Sequence, residues 1–178
     1  MAKDKKVFKI LITGSFGSGK TTFVKNISEI DPLLTEKNIS RPENRSEDKQ
    51  TTTVAIDMGK LKVGDDVEVY LFSTPGQERF DFMFDILSKG ILGAIILVDA
   101  TSNESIEVAE NLAKKIRERF DIPILYAVTK LDLPNAKSLE EIKAFLSTME
   151  DIPVEPLNPM DKESGKEVLV KLLSKIFS

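Results

Sequence analysis

Three mostly apolar runs, at residues 6–13, 92–98 and 122–128, are each followed by turn residues and then by a segment of helical period. Runs without strict alternation fit strands buried on both faces, and their spacing by helices fits a parallel sheet. The helical stripes are Ile106, Ala109, Leu112, Ile116 and Phe120; Leu139, Ile142, Phe145, Leu146 and Met149; and Val168, Leu169, Leu172, Leu173 and Ile176. Each stripe is expected to face the sheet. The last one, at the end of the chain, is read as a core helix in preference to a membrane or partner face.

Two further runs, TTTVAIDMGKLKV and VEVYLF, are separated only by GDD, which is the turn chemistry of an antiparallel hairpin. The pattern therefore predicts an α/β fold with a mixed six-stranded sheet, one antiparallel hairpin strand and helices on both faces. Between the first helix and the hairpin lies EKNISRPENRSEDKQ, charged and poor in apolar residues. Such a stretch buries too little surface to order itself, so a mobile loop is expected over about 35–52.

Composition narrows the chemistry. A chain of 178 residues with 41% hydrophobic residues suits one core, hence a single domain over 1–178. A net charge of −4 without a basic tract gives no surface for tracking nucleic-acid phosphates. With no cysteine and no histidine, disulfides, thiolate metal sites and imidazole bases are excluded, leaving carboxylates, amides, lysines and a bound metal. No apolar run approaches the ~20 residues of a membrane span, and no basic-then-apolar leader opens the sequence. Ala2 and the absence of a C-terminal cysteine exclude the common lipid-anchor patterns, so a cytoplasmic location without a direct membrane anchor is expected.

The stretch GSFGSGKTT, Gly14, Ser15, Phe16, Gly17, Ser18, Gly19, Lys20, Thr21 and Thr22, directly follows the first strand. Its GxxxxGKT spacing between strand and helix is that of a phosphate-binding loop, whose glycines let backbone NH groups curl around a polyphosphate. Lys20 would neutralise β and γ oxygens, Thr21 would present its hydroxyl to magnesium, and the following helix would turn its positive end toward the anion.

The base is indicated by TKLD, Thr129 to Asp132, at the end of the strand IPILYAV. An aspartate at that sheet edge can accept two hydrogen bonds from the ring NH and exocyclic amine that guanine presents side by side. Lys130 would lay its methylenes along the base, and Thr129 would tie this loop to the phosphate loop. TPGQERF follows the second hairpin strand. There Gly76 could offer its NH to a γ-phosphate, and Gln77 could orient a water for in-line attack.

Taken together, these residues resemble the Ras-like small GTPases over nearly the whole chain, and the resemblance implies a role for several further positions. TVAIDMG, residues 53–59, is similar to the family strand whose first threonine closes over magnesium and γ-phosphate. This selects Thr53, with Thr51 and Thr52 as alternatives. By the same resemblance Thr21 and Thr53 are the magnesium ligands, Gln77 and Lys20 the catalytic residues, GTP or GDP with Mg2+ the bound groups, and residues 35–52 and 74–88 the two switches. A regulator or effector protein would bind those switches. The PGQ wording and the long first switch look closest to the prokaryotic branch related to bacterial polarity GTPases, in which roadblock-type regulators are frequent partners.

Several positions depart from the family. Ser73 stands where an aspartate usually holds a magnesium-bound water, so the magnesium dependence of GDP binding is expected to be weaker than in relatives that carry the aspartate, with Asp99 a lesser alternative carboxylate. Asn158, Pro159 and Met160 stand where a Ser-Ala-Lys stretch gives a backbone NH to the guanine carbonyl, and proline has none. Either the register differs by one residue or that contact is lost. Phe16 replaces a glycine associated with stimulated hydrolysis, and Gln50 stands where a built-in arginine finger would be. Turnover is therefore expected to be slow without a partner, about 10⁻⁴ to 10⁻² per second. Two rival readings remain open: a guanine-nucleotide-binding scaffold that no longer hydrolyses, and a P-loop phosphotransferase or ATPase.

Overall fold

The computed structural model of the chain describes residues 4–30, 33–40, 51–73, 90–147 and 151–178, and side chains within these except at 33–40 and 51–56. In chain order the elements are β1 (Lys6–Gly14), α1 (Lys20–Ile27), β2 (Leu33–Ser40), β3 (Thr51–Val63), β4 (Val67–Ser73) and β5 (Ile91–Asp99). They continue as α2 (Asn103–Arg119), β6 (Ile124–Thr129), α3 (Leu139–Phe145), β7 (Val154–Pro156) and α4 (Lys162–Phe177).

One sheet runs in the order β2-β3-β4-β1-β5-β6-β7. β1 lies between β4 and β5 and is parallel to both, and β6 and β7 continue in the same direction. The apolar runs occupy the middle of this sheet because only there are both faces covered: Ile10, Ile12, Ile95, Leu97, Leu125 and Ala127 point to one core, Leu11, Ile96, Val98, Tyr126 and Val128 to the other. The first core is closed by Phe23, Val24 and Ile27 of α1 and by Val168, Leu169, Leu172 and Leu173 of α4. The second is closed by Ile106, Ala109, Ala113 and Ile116 of α2 together with Ile142 and Leu146. Each Val, Leu, Ile or Phe side chain among these, taken fully out of water, contributes about 1.5–3 kcal/mol before entropy is counted. The C-terminal stripe is thus core. Phe145 departs from its stripe and is exposed, and Met149 lies outside the described residues.

The mixed α/β sheet, with its antiparallel hairpin and helices on both faces, agrees with the pattern of the sequence. β2 is an added strand, pairing antiparallel with β3 from Leu33 opposite Met58 to Ser40 opposite Thr51. It replaces the loop expected from residue 35 as far as Ser40. An edge strand is held by backbone hydrogen bonds, which do not depend on apolar side chains, so hydrophobic patterning could not reveal it. The remainder of that expected loop, 41–50, lies outside the described residues.

Candidate nucleotide site

The five parallel strands end along one edge, at Gly14, Ser73, Asp99, Thr129 and Pro156. Strand order reverses around β1, and open α/β sheets bind ligands in the crevice such a reversal creates. The phosphate loop leaves β1 there. Gly14 has φ +144°, and a Cβ on it would come within 2.5 Å of the Leu97 carbonyl oxygen. Gly19 has φ +107°, and its Cβ would stand 3.0 Å from Pro159 Cγ. Both positions need glycine for conformation and for space. The loop is braced from within by Ser18, whose hydroxyl donates to the Ser15 carbonyl at 2.7 Å. It is braced from outside by Ser105 at the start of α2, whose hydroxyl lies 2.6 Å from that of Ser15 and accepts from the Asp99 NH at 2.8 Å. Phe16 projects into solvent, 82% exposed.

Helix α1 begins at Gly19 with no side-chain cap, whereas Ser102, Ser138 and Asp161 cap α2, α3 and α4. Its first-turn NH groups and its dipole therefore face the loop without a protein carboxylate or hydroxyl at the cap position, as at an anion-binding helix start. Lys20 is buried, with Nζ donating to the Gly14 and Ser15 carbonyls at 2.8 and 2.7 Å. Burial lowers its pKa to about 8, against the opposing effect of the nearby Asp57 charge. Thr21 Oγ1 donates to Asp57 Oδ2 at 2.7 Å. Thr22, beside it, is exposed. Asp57 lies on β3 directly opposite Ser73 of β4.

On the other side of the loop, Thr129 Oγ1 donates to the Ser18 carbonyl at 2.8 Å, the tie read from the sequence. Lys130 has φ +61°, and its Nζ pairs with Asp99 Oδ2 at 2.8 Å. The other Asp99 oxygen accepts from the Thr101 NH and hydroxyl at 2.8 and 2.6 Å. Asp99 thus caps its turn and anchors Lys130. Asp132 is exposed two positions further along.

The loop after β7 reaches the same edge. Leu157 NH donates to the Val128 carbonyl at 2.8 Å, and Asn26 Nδ2 to the Pro159 carbonyl at 2.8 Å. The Asn158 NH donates to Ser164 Oγ and the Met160 NH to Asn158 Oδ1. The NH groups on either side of Pro159 are therefore spent inside the loop, and none of the three positions turns one outward.

The structure brings residues 14–22, Thr129, Lys130, Asp132, Asn158 and Pro159 to one edge. Thr53 lies on β3, opposite Asn38, with its side chain outside the description. Gly76, Gln77 and the second switch lie outside the described residues. Asp57 and Ser105 were not among the residues read as functional. Asp57 could have been found by counting back along the hairpin from the Val63–Val67 pair to Ser73; Ser105, joined through folding alone, carries no sequence signal.

A family model described as a conserved hypothetical ATP binding protein matches residues 12–177. Fold, loop and relatives together define a P-loop, GTPase-like nucleotide-binding protein. The chain belongs to the family of that model. It is 33% identical over 140 residues to protein MJ1339 of Methanocaldococcus jannaschii, covering 79% of each chain. It is 29% identical over 162 residues to Ras-related protein Rab11B of Nicotiana tabacum, covering 85% of this chain and 69% of the relative. It is also 29% identical over 157 residues to Ras-related protein Rab-7b of Bos taurus, covering 84% and 72%. Among the described residues no helix is long and apolar enough to cross a membrane.

Proposed function

We propose that the protein is a small GTPase working as a GTP/GDP-dependent switch, with slow intrinsic hydrolysis of GTP to GDP and phosphate. The observation that carries this reading is the Thr129–Ser18 hydrogen bond, which couples the TKLD loop to the phosphate loop at 2.8 Å. The uncapped start of α1 and the Lys20 ammonium supply the phosphate contacts, with Lys20 exchanging its two carbonyl partners for β and γ oxygens. Asp132 accepts from the guanine ring NH and amine, and the Lys130 stem lies along the base. Thr21 fits a magnesium ion, because the hydroxyl proton is taken by Asp57 and the oxygen lone pairs remain for a metal; Thr53 is the second protein ligand. Magnesium, when bound, neutralises charge on the β and γ oxygens.

For hydrolysis, Gln77 orients a water in line with the γ-phosphorus. A bond from the water oxygen to the γ-phosphorus forms as the bond from that phosphorus to the β–γ bridging oxygen breaks; GDP departs with the bonding pair, and the water's proton passes to the released phosphate. The Gly76 NH meets the γ-phosphate, so loss of that group releases the second switch, 74–88, and the part of the first switch, 41–50, that lies between the paired strands β2 and β3. The PGQ wording supports the branch related to bacterial polarity GTPases, in which a roadblock-type regulator would read these switches, in a cytoplasmic setting. A second reading, an adenine-nucleotide protein, is favoured by the description of the matching family; TKLD weighs against it. Single-turnover hydrolysis tests the enzymatic claim. Gln77→Leu should bind GTP as the unmodified protein does and hydrolyse it at least about tenfold more slowly. Equal rates would remove Gln77 from the mechanism, and no hydrolysis by either would leave the scaffold reading.

A further inference from the structure

We propose that Asp57 is the carboxylate of the magnesium site, displaced by one strand from the position that Ser73 occupies. The inference rests on the reading of Thr21 as a magnesium ligand.

Three relationships carry it. Asp57 Oδ2 accepts the Thr21 hydroxyl hydrogen at 2.7 Å. A hydroxyl has one hydrogen and two lone pairs, so this bond fixes the rotor with both lone pairs left for a cation. Asp57 is also the register partner of Ser73 on the adjacent antiparallel strand. Opposed residues in such a pair are only about 4.5–5.5 Å apart at Cα, a step that one side chain spans. Serine supplies no charge at the end of β4; the neighbouring strand supplies it instead. Finally, Thr21 directly follows Lys20 of the phosphate loop, so the carboxylate bonded to its hydroxyl stands at the mouth of that loop.

The two buried carboxylates among the described residues are committed to other partners. Asp99 holds Lys130 and Thr101, and Glu68 holds Lys5 and Lys60. Asp57 keeps Oδ1 and the unused lone pairs of Oδ2 for metal-bound water, which magnesium characteristically retains.

The test is release of a fluorescent GDP analogue from the full chain across a magnesium titration. Asp57→Asn keeps an acceptor for Thr21 and removes only the charge. It should need about 10- to 100-fold more magnesium to slow release. Adding Ser73→Asp to that variant should restore most of the magnesium sensitivity, which a merely structural contact would not do. Superimposable curves for Asp57→Asn and the unmodified protein would overturn the inference, as would a double variant that stays at the Asp57→Asn value. If the unmodified protein itself binds no GDP analogue, or releases it at a rate indifferent to magnesium, the GTPase reading falls together with the inference.

Discussion

Thr129 and Ser18, separated by 111 positions in sequence, are joined by a 2.8 Å hydrogen bond from the threonine hydroxyl to the serine carbonyl. Both residues are fully buried. The bond therefore forms where water cannot replace it, and it makes the end of β6 and the phosphate loop move as one body. Thr129→Val keeps the shape and leaves the carbonyl without this donor. It should lower folding stability by about 1–3 kcal/mol and weaken GDP binding, measured by urea unfolding and calorimetry on the same preparation. Unchanged GDP affinity would show that the two loops act separately.

Asp132 stands exposed at the edge where TKLD ends. Asp132→Asn replaces an acceptor by a mixed donor and acceptor and should cost about 3 kcal/mol of guanine recognition. Preference should move toward xanthine nucleotides, which present a carbonyl in place of the amine. Competition between GDP and XDP on the variant reads this directly.

The three loop glycines are not equivalent. A side chain at Gly14 would strike the Leu97 carbonyl, whereas one at Gly17, with φ +73°, would meet nothing within 4 Å. Gly17→Ala carries only the conformational cost, about 1–2 kcal/mol. Gly14→Ala adds a steric one between β1 and β5 and should melt several degrees lower than Gly17→Ala. Equal melting temperatures would mean that the strands separate freely at that point.

Alkaline pH should act through Tyr126. Burial pushes its phenol up to about 12, with the Glu110 and Asp151 carboxylates adding to the shift and Arg117 opposing it. The usual value is about 10. Between those limits the unfolded chain loses the proton first and so binds fewer protons than the folded chain, which makes stability fall as pH rises. The contribution is intact below about pH 10, diminishes toward pH 12, and amounts to at most about 3 kcal/mol. Tyr126→Phe should flatten this part of the stability profile measured by urea unfolding; an unchanged slope would assign the alkaline loss elsewhere.

The central sheet was legible because its strands are apolar on both faces, and the phosphate loop because its glycine spacing is tied to backbone geometry. TKLD could be placed at a strand end for the same reason, and the Thr129 contact followed from it. β2 was not legible, since LLTEKNIS is held by pairing with β3 and carries no alternating apolar face. Asp57 was not legible from a position-by-position likeness to the family, because at position 73 that likeness shows only a serine. Register across the hairpin brings a carboxylate to the same place from the other strand. The departure at Asn158–Met160 was legible: proline removes one NH, and the structure shows the two neighbouring NH groups bonded to Ser164 and Asn158.

The claim on which all else depends is that the bound nucleotide carries guanine, in a family whose model is described by ATP. Calorimetric titration of the unmodified protein with GDP and with ADP, each with and without magnesium, measures base and metal together. The account predicts GDP binding at least about 100-fold tighter than ADP, a difference of about 2.8 kcal/mol, and tightened further by magnesium. ADP binding as tightly as GDP would contradict it.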